Sequence, residues 1–172
     1  GGKLEIVDNS RNFQDVPDWA WFNGAVQFTA SRELMAGTSE NTFSPGMSMS
    51  RAMLMTVLAR LDGQNTFNGE TWDSVGMSWA KEHGISDGSN PEVSITREQL
   101  AAMLYRYAKA GKTEASLTRF SDAAKVSPWA SDAIAWAVVN GILTGKPGGL
   151  LDPQGLATRA EVSAMLERFI SL

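Results

Sequence analysis

Three short stretches of this 172-residue chain place the same chemical groups in the same order: Ser50-Arg51-Ala52-Met53, Thr96-Arg97-Glu98-Gln99 and Thr158-Arg159-Ala160-Glu161. Each follows a loop rich in Gly, Pro, Asn and Ser, and each precedes an apolar run of helical period such as Val162, Met165, Leu166, Phe169. The hydroxyl residues suit the N-cap of a helix, and Gln99 and Glu161 three positions on complete capping boxes. Met53 breaks the box in the first copy. An arginine at the first helical position is disfavoured by the helix macrodipole, so three such placements call for a reason. A guanidinium beside open helix N–H groups can hold an anion through charge-assisted hydrogen bonds. The alternative is that each arginine pairs with an aspartate of its own chain, with Asp15 and Asp122 available.

The elements that would position these arginines recur with them. Trp21, Phe28, Gly37 and Arg51 repeat 108 positions later as Trp129, Trp136, Gly145 and Arg159, and a middle copy carries Trp72, Trp79, Gly88 and Arg97. Glycine and arginine are 14 positions apart in the outer copies and 9 in the middle one, so its loop is shorter by five. The first helix of copy three, Trp129 to Asn140, is amphipathic and should stop at Gly141, as copy two should at Gly84. Copy one has Arg32-Glu33 at that place, which predicts a different ending. The second helices are expected over 51–61, 97–109 and 159–170, with one apolar face shown three times. Units of this kind bury their faces only against their siblings. The expected fold is all-α, three helix-loop-helix repeats packed as a pseudo-threefold bundle: residues 1–12 a lead-in or cloning scar, then copies at 13–63, 64–111 and 112–172, forming one folded unit. Trp136, Trp79 and Phe28 are the expected core aromatics. Arg60, Arg106 and Arg168 recur on the second helices and read as interface or surface cations.

Composition narrows the function. A net charge of -4 without a basic run excludes a broad electrostatic grip on nucleic acid. There is no cysteine for a disulfide or thiolate and only one histidine, so neither metal nor cofactor is implied. The longest apolar stretch, Ala133 to Val139, is far short of a membrane span. No pair of carboxylates recurs in a setting that would raise a pKa, so no catalytic residue is assigned and an enzyme is not expected.

The chain resembles the S-layer homology family. The residues that carry the likeness are an aromatic-x-Asp opening (Phe13-Gln14-Asp15, Phe120-Ser121-Asp122), the tryptophan helix, Gly141-Ile142-Leu143-Thr144-Gly145, the loop motifs Phe43-Ser44-Pro45 and Leu151-Asp152-Pro153, and the three helix starts. The likeness covers residues 13–172. It implies a bacterial cell-surface protein held non-covalently to a secondary cell-wall polysaccharide, with a pyruvylated sugar in grooves between repeats. It further implies that Arg51, Arg97 and Arg159 face the acidic group and that Asp15 and Asp122 bind sugar hydroxyls. Trp21, Trp72 and Trp129 would contact rings, and Gly37, Gly88 and Gly145 would let backbone approach. Copy two lacks the aromatic-x-Asp opening and Phe-x-Pro, so the sites rank three, one, two. Replacing Arg159 by alanine is then expected to weaken binding and leave melting nearly unchanged. A different peptidoglycan-linked group, or a helical protein-interaction module, remains the alternative; oligomeric state is not readable.

Overall fold

The computed structural model describes residues 11–172; most of the expected lead-in, residues 1–10, lies outside them. The described residues form six α-helices and no sheet: α1 Asn23–Ser31, α2 Arg51–Leu61, α3 Ser74–Glu82, α4 Arg97–Tyr107, α5 Ser131–Val139 and α6 Arg159–Ile170, with 3-10 turns at Ala123–Lys125 and Pro128–Ala130. The chain is all-α. No described helix is long and apolar enough to cross a membrane.

The even-numbered helices begin as the caps dictate. Ser50 accepts from Met53 N, while Thr96 and Thr158 close full capping boxes with Gln99 and Glu161. The odd-numbered helices start later than their tryptophans: Trp21 and Trp72 precede α1 and α3, and Trp129 sits in the 3-10 turn before α5. At the far end, Gly84 and Gly141 take the left-handed conformation at φ 68° and 70°, and Glu33 takes it too at φ 58°. Copy one therefore ends its first helix as the others do, with a side chain in a conformation that costs a non-glycine residue about 1 kcal/mol or more.

The helices pair in a closed cycle: α3 packs on α2, α5 on α4, and α1 on α6. Each odd helix thus lies against the even helix of the preceding copy, with the first copy returning to the third. At the centre, Ile95 N donates to Met49 O, Ala157 N to Ile95 O and Met49 N to Ala157 O, at 2.7, 3.0 and 3.4 Å. All three residues are buried. Around this triangle the core is built from the apolar faces of the even helices, including Leu54, Leu58, Leu100, Leu104, Val162 and Leu166. Trp79 and Trp136 join it, as expected. Phe28 does not: it is half-buried, with the Arg32 guanidinium 3.5 Å above its ring. α3 packs close on α2, where a Cβ on Gly76 would lie 2.6 Å from the Thr56 Cα.

Candidate functional site

The first turns of α2, α4 and α6 are closed to an anion. Arg51, Arg97 and Arg159 donate their backbone N–H to the carbonyls of Val93, Gly155 and Met47, at 2.9, 2.9 and 2.8 Å. The next N–H groups, of Ala52, Glu98 and Ala160, go to Pro91, Pro153 and Pro45, each at 2.9 Å. The third N–H of each helix is taken by its cap hydroxyl. The open donors that the sequence suggests are therefore occupied, in every case by the loop of the next copy or by the cap. Pro91 does in copy two what Pro45 and Pro153 do in the outer copies, so the short loop keeps the proline while lacking the phenylalanine before it.

The guanidinium groups follow the same cycle. Arg51 Nε donates to Ser89 O at 3.0 Å, Arg97 Nε to Leu151 O at 2.9 Å and Arg159 Nε to Phe43 O at 2.8 Å. Beyond that shared bond they differ. Arg97 is buried and forms an ion pair with Glu161 of the third copy. Arg159 is buried against the Phe43 ring and donates to Ala36 O at 2.5 Å; burial lowers its pKa, with Asp15 acting in the opposite sense. Arg51 meets Ser86 Oγ at 3.3 Å and the exposed Asp87 carboxylate at 3.7 Å.

Neither Asp15 nor Asp122 forms an ion pair with these arginines. Asp15 accepts from Phe43 N and Ser44 N, and Asp122 from Leu151 N and Asp152 N, each at 2.8 Å. Both oxygens of each carboxylate thus hold the loop that receives the preceding copy's arginine: Arg159 for the loop held by Asp15, and Arg97 for the loop held by Asp122. For Asp122, burial pushes the pKa up, but the backbone donors of Leu151, Asp152 and Asp122 itself, with the nearby Lys125 cation, together outweigh it and the pKa is lowered. The glycines also serve internal packing: a Cβ on Gly37 or Gly145 would lie 2.6 or 2.8 Å from the ring of Phe13 or Phe120, the aromatic of its own copy's opening motif.

Two surface grooves remain. One, of about 600 Å³, brings Trp21 of copy one, Arg97 of copy two and Gly145 of copy three together, with Lys146, Glu161 and Arg168. The other, of about 570 Å³, brings Arg51 and Trp129 together with Lys81, Ser86, Gln99 and Arg106. Every copy contributes to both grooves, so a ranking copy by copy does not describe them. Trp21 and Trp129 are 66% and 55% exposed, consistent with ring platforms. Trp72 is also exposed but lines neither groove, and neither do Arg159, Asp15, Asp122, Gly37 or Gly88. Gly37 instead borders a wider concavity of about 930 Å³ with Arg32, Arg60 and Phe67.

Sequence reasoning passed over Arg106 and Arg168 as groove residues, although their recurrence was visible. Arg60, Arg106 and Arg168 donate to Leu34 O, Ile85 O and Ile142 O, pinning each even helix to its own copy's first loop. No group of His, Cys, Asp or Glu among the described residues is arranged to hold a metal.

Comparison with known proteins agrees with this architecture. The profile of the S-layer homology domain matches residues 12–52 and 119–163, half of the chain, in its first and third copies. An exoglucanase, XynX, of Acetivibrio thermocellus is 30% identical across 94% of this chain, and the surface-layer 125 kDa protein of Lysinibacillus sphaericus is 26% identical across 85%. The chain spans only 16% and 14% of those proteins. An undecaheme cytochrome from the S-layer of Carboxydothermus ferrireducens shares the fold over 72% of this chain and 17% of its own, with a TM-score of 0.50 at 24% identity. By its profile match, this chain belongs to the S-layer homology domain family, the modules of cell-surface proteins that anchor them to the cell wall.

Proposed function

We propose that the chain is the wall-binding part of a bacterial surface protein, and that it holds an anionic, pyruvylated secondary cell-wall polysaccharide in the grooves between its copies. In this reading copies 13–63, 64–111 and 112–172 work as one pseudo-threefold unit outside the cell, and the chain binds without cleaving. The observation that carries it is the pairing, in each groove, of an exposed tryptophan with a guanidinium: Trp21 with Arg97, and Trp129 with Arg51. An indole face beside a fixed cation suits a sugar ring bearing an acid. Arg159, which lines neither groove, supports the unit by bonding copy three to copy one.

The test is sedimentation of the folded protein with cell-wall sacculi before and after hydrofluoric acid strips the secondary polysaccharide. Co-sedimentation that vanishes on stripping supports the reading. Undiminished binding to stripped sacculi would move the ligand to peptidoglycan itself.

A further inference from the structure

The loop that receives each arginine is fixed at one backbone position. In the outer copies this is the N–H of Phe43, which donates to Asp15, and of Leu151, which donates to Asp122, each at 2.8 Å. The carbonyls of the same two residues accept from Arg159 Nε and Arg97 Nε. Both carboxylates belong to the aromatic-x-Asp opening, 28 and 29 positions before the N–H they hold. Copy two has no such opening. Yet Ser89, whose carbonyl accepts from Arg51 Nε, also donates its N–H to a carboxylate, Asp87 Oδ1, at 2.9 Å and only two positions away. Ser89 Oγ donates to the same oxygen at 2.6 Å. This is an Asx turn, closed within the loop itself.

The aromatic half of the motif has a substitute as well. Where the rings of Phe13 and Phe120 cover Gly37 and Gly145, a Cβ on Gly88 would lie 2.8 Å from Cδ of Lys81, in the last turn of α3. A methylene stem therefore covers the glycine as the rings do. Ser86 Oγ completes the loop, accepting from Gly88 N at 3.2 Å and from Arg51 Nη2 at 3.3 Å. Among the described residues no backbone hydrogen bond joins 64–73 to this loop, and Phe67 of that segment is exposed while Phe13 and Phe120 are buried. Asp122 is buried and Asp15 half-buried, whereas the Asp87 side chain is 74% exposed.

We infer that Asp87 is the positioning residue of the groove that brings Arg51 and Trp129 together: by holding Ser89 N it presents Ser89 O to Arg51 Nε and so sets the place of the guanidinium. Its carboxylate also lies 3.7 Å from Arg51 Nη2, but an exposed pair at that distance contributes little. The turn, and not the charge, is what Asp87 supplies. The inference rests on the anchoring function proposed above and adds to it a groove whose shape is set by an exposed loop, separately from the stability of the whole unit.

Two variants separate turn from charge. Asp87→Ala removes both, while Asp87→Asn keeps an oxygen that accepts from Ser89 N and loses only the charge. Each is compared with wild type by a thermal melt, by water exchange of the arginine Nε–H groups in nitrogen-15 NMR, and by co-sedimentation with polysaccharide-bearing sacculi. Asp87→Ala should speed exchange at Arg51 at least about tenfold and leave Arg97 and Arg159 as in wild type. Its apparent affinity for the sacculi should fall at least about threefold, because the groove is no longer preorganised. Asp87→Asn should restore both. Unchanged exchange at Arg51 in Asp87→Ala overturns the inference, and so does Asp87→Asn behaving like alanine. An Asp87→Ala that fails to fold overturns it too, since a turn closed within an exposed loop should not carry the fold. If Arg51 is loosened while sedimentation is undiminished, the inference falls and anchoring stands. If wild type sediments with no sacculi, both fall.

Discussion

Arg159, the first residue of α6, donates through Nε to the carbonyl of Phe43, 116 positions earlier in the chain, at 2.8 Å. With the bond to Ala36 O, this makes the side chain a clasp between the third copy and the first. Arg159→Ala is therefore expected to lower stability, by about 1–3 kcal/mol for the Phe43 carbonyl left buried and unpaired. Urea denaturation measures it. The expectation drawn from sequence, unchanged melting with weakened binding, is replaced by its opposite; an unshifted urea midpoint would restore it.

Asp122 links stability to acidity. Its folded-state pKa is lowered by the backbone donors of Leu151 and Asp152, so its contribution is fully present above the ordinary carboxylate pKa, about 3.9, and is lost as pH falls through the lowered value. Asp122→Asn is expected to cost about 1.5–3 kcal/mol near neutral pH. The gap to wild type should begin to narrow below about pH 4 and close as pH falls through the lowered value, where folded Asp122 is itself protonated. Denaturation at pH 7, 5 and 3 checks both the size and the direction.

Gly76 is a packing requirement and not a flexible point. Alanine is the better helix former by about 1 kcal/mol, yet its Cβ would lie 2.6 and 2.8 Å from the Cα and N of Thr56. Backbone cannot step aside as a side-chain tip can, so Gly76→Ala should destabilise by about 1–3 kcal/mol. A gain in melting temperature would show that α2 and α3 separate at little cost.

Leu166 is wholly buried on the core face of α6. Leu166→Ala should cost about 2–5 kcal/mol through the cavity it leaves, read as a lowered denaturant midpoint at constant slope.

Local features were the legible ones. The caps of α2, α4 and α6 depend on residues three positions apart, so the sequence displays them directly, and the expected second helices agree with the observed ones except that α4 stops at Tyr107. Glu33 shows the limit of such reading: without a glycine the helix still ends in the left-handed conformation, because α1 must turn there to reach its neighbours. The site was less visible because its bonds join distant positions. Nothing in a Ser-Arg-Ala or Thr-Arg-Ala pattern tells which carbonyl will occupy the helix N–H groups, and the 28-residue spacing from Asp15 to Phe43 carries no periodic signature. The tryptophans were legible as a type. That Trp129 stands beside Arg51, and Trp21 beside Arg97, follows from the cycle alone.

The cycle has one seam without a peptide across it. Copies one and two, and two and three, are joined by chain, but α1 meets α6 through non-covalent contacts such as Thr29 Oγ1 to Ser163 Oγ at 3.3 Å and the Arg159 clasp. A tug on a tethered surface protein would open the ring there, like a key ring prised at its gap. Because the first groove joins Trp21 and Pro45 of copy one to Leu143 and Arg168 of copy three, a sugar seated in it would span parts that the opening pulls apart. Under the proposed function, cargo and wall would load the same joint from opposite sides, and a bound glycan would act as a rivet, making the module hardest to pry open while it is holding on.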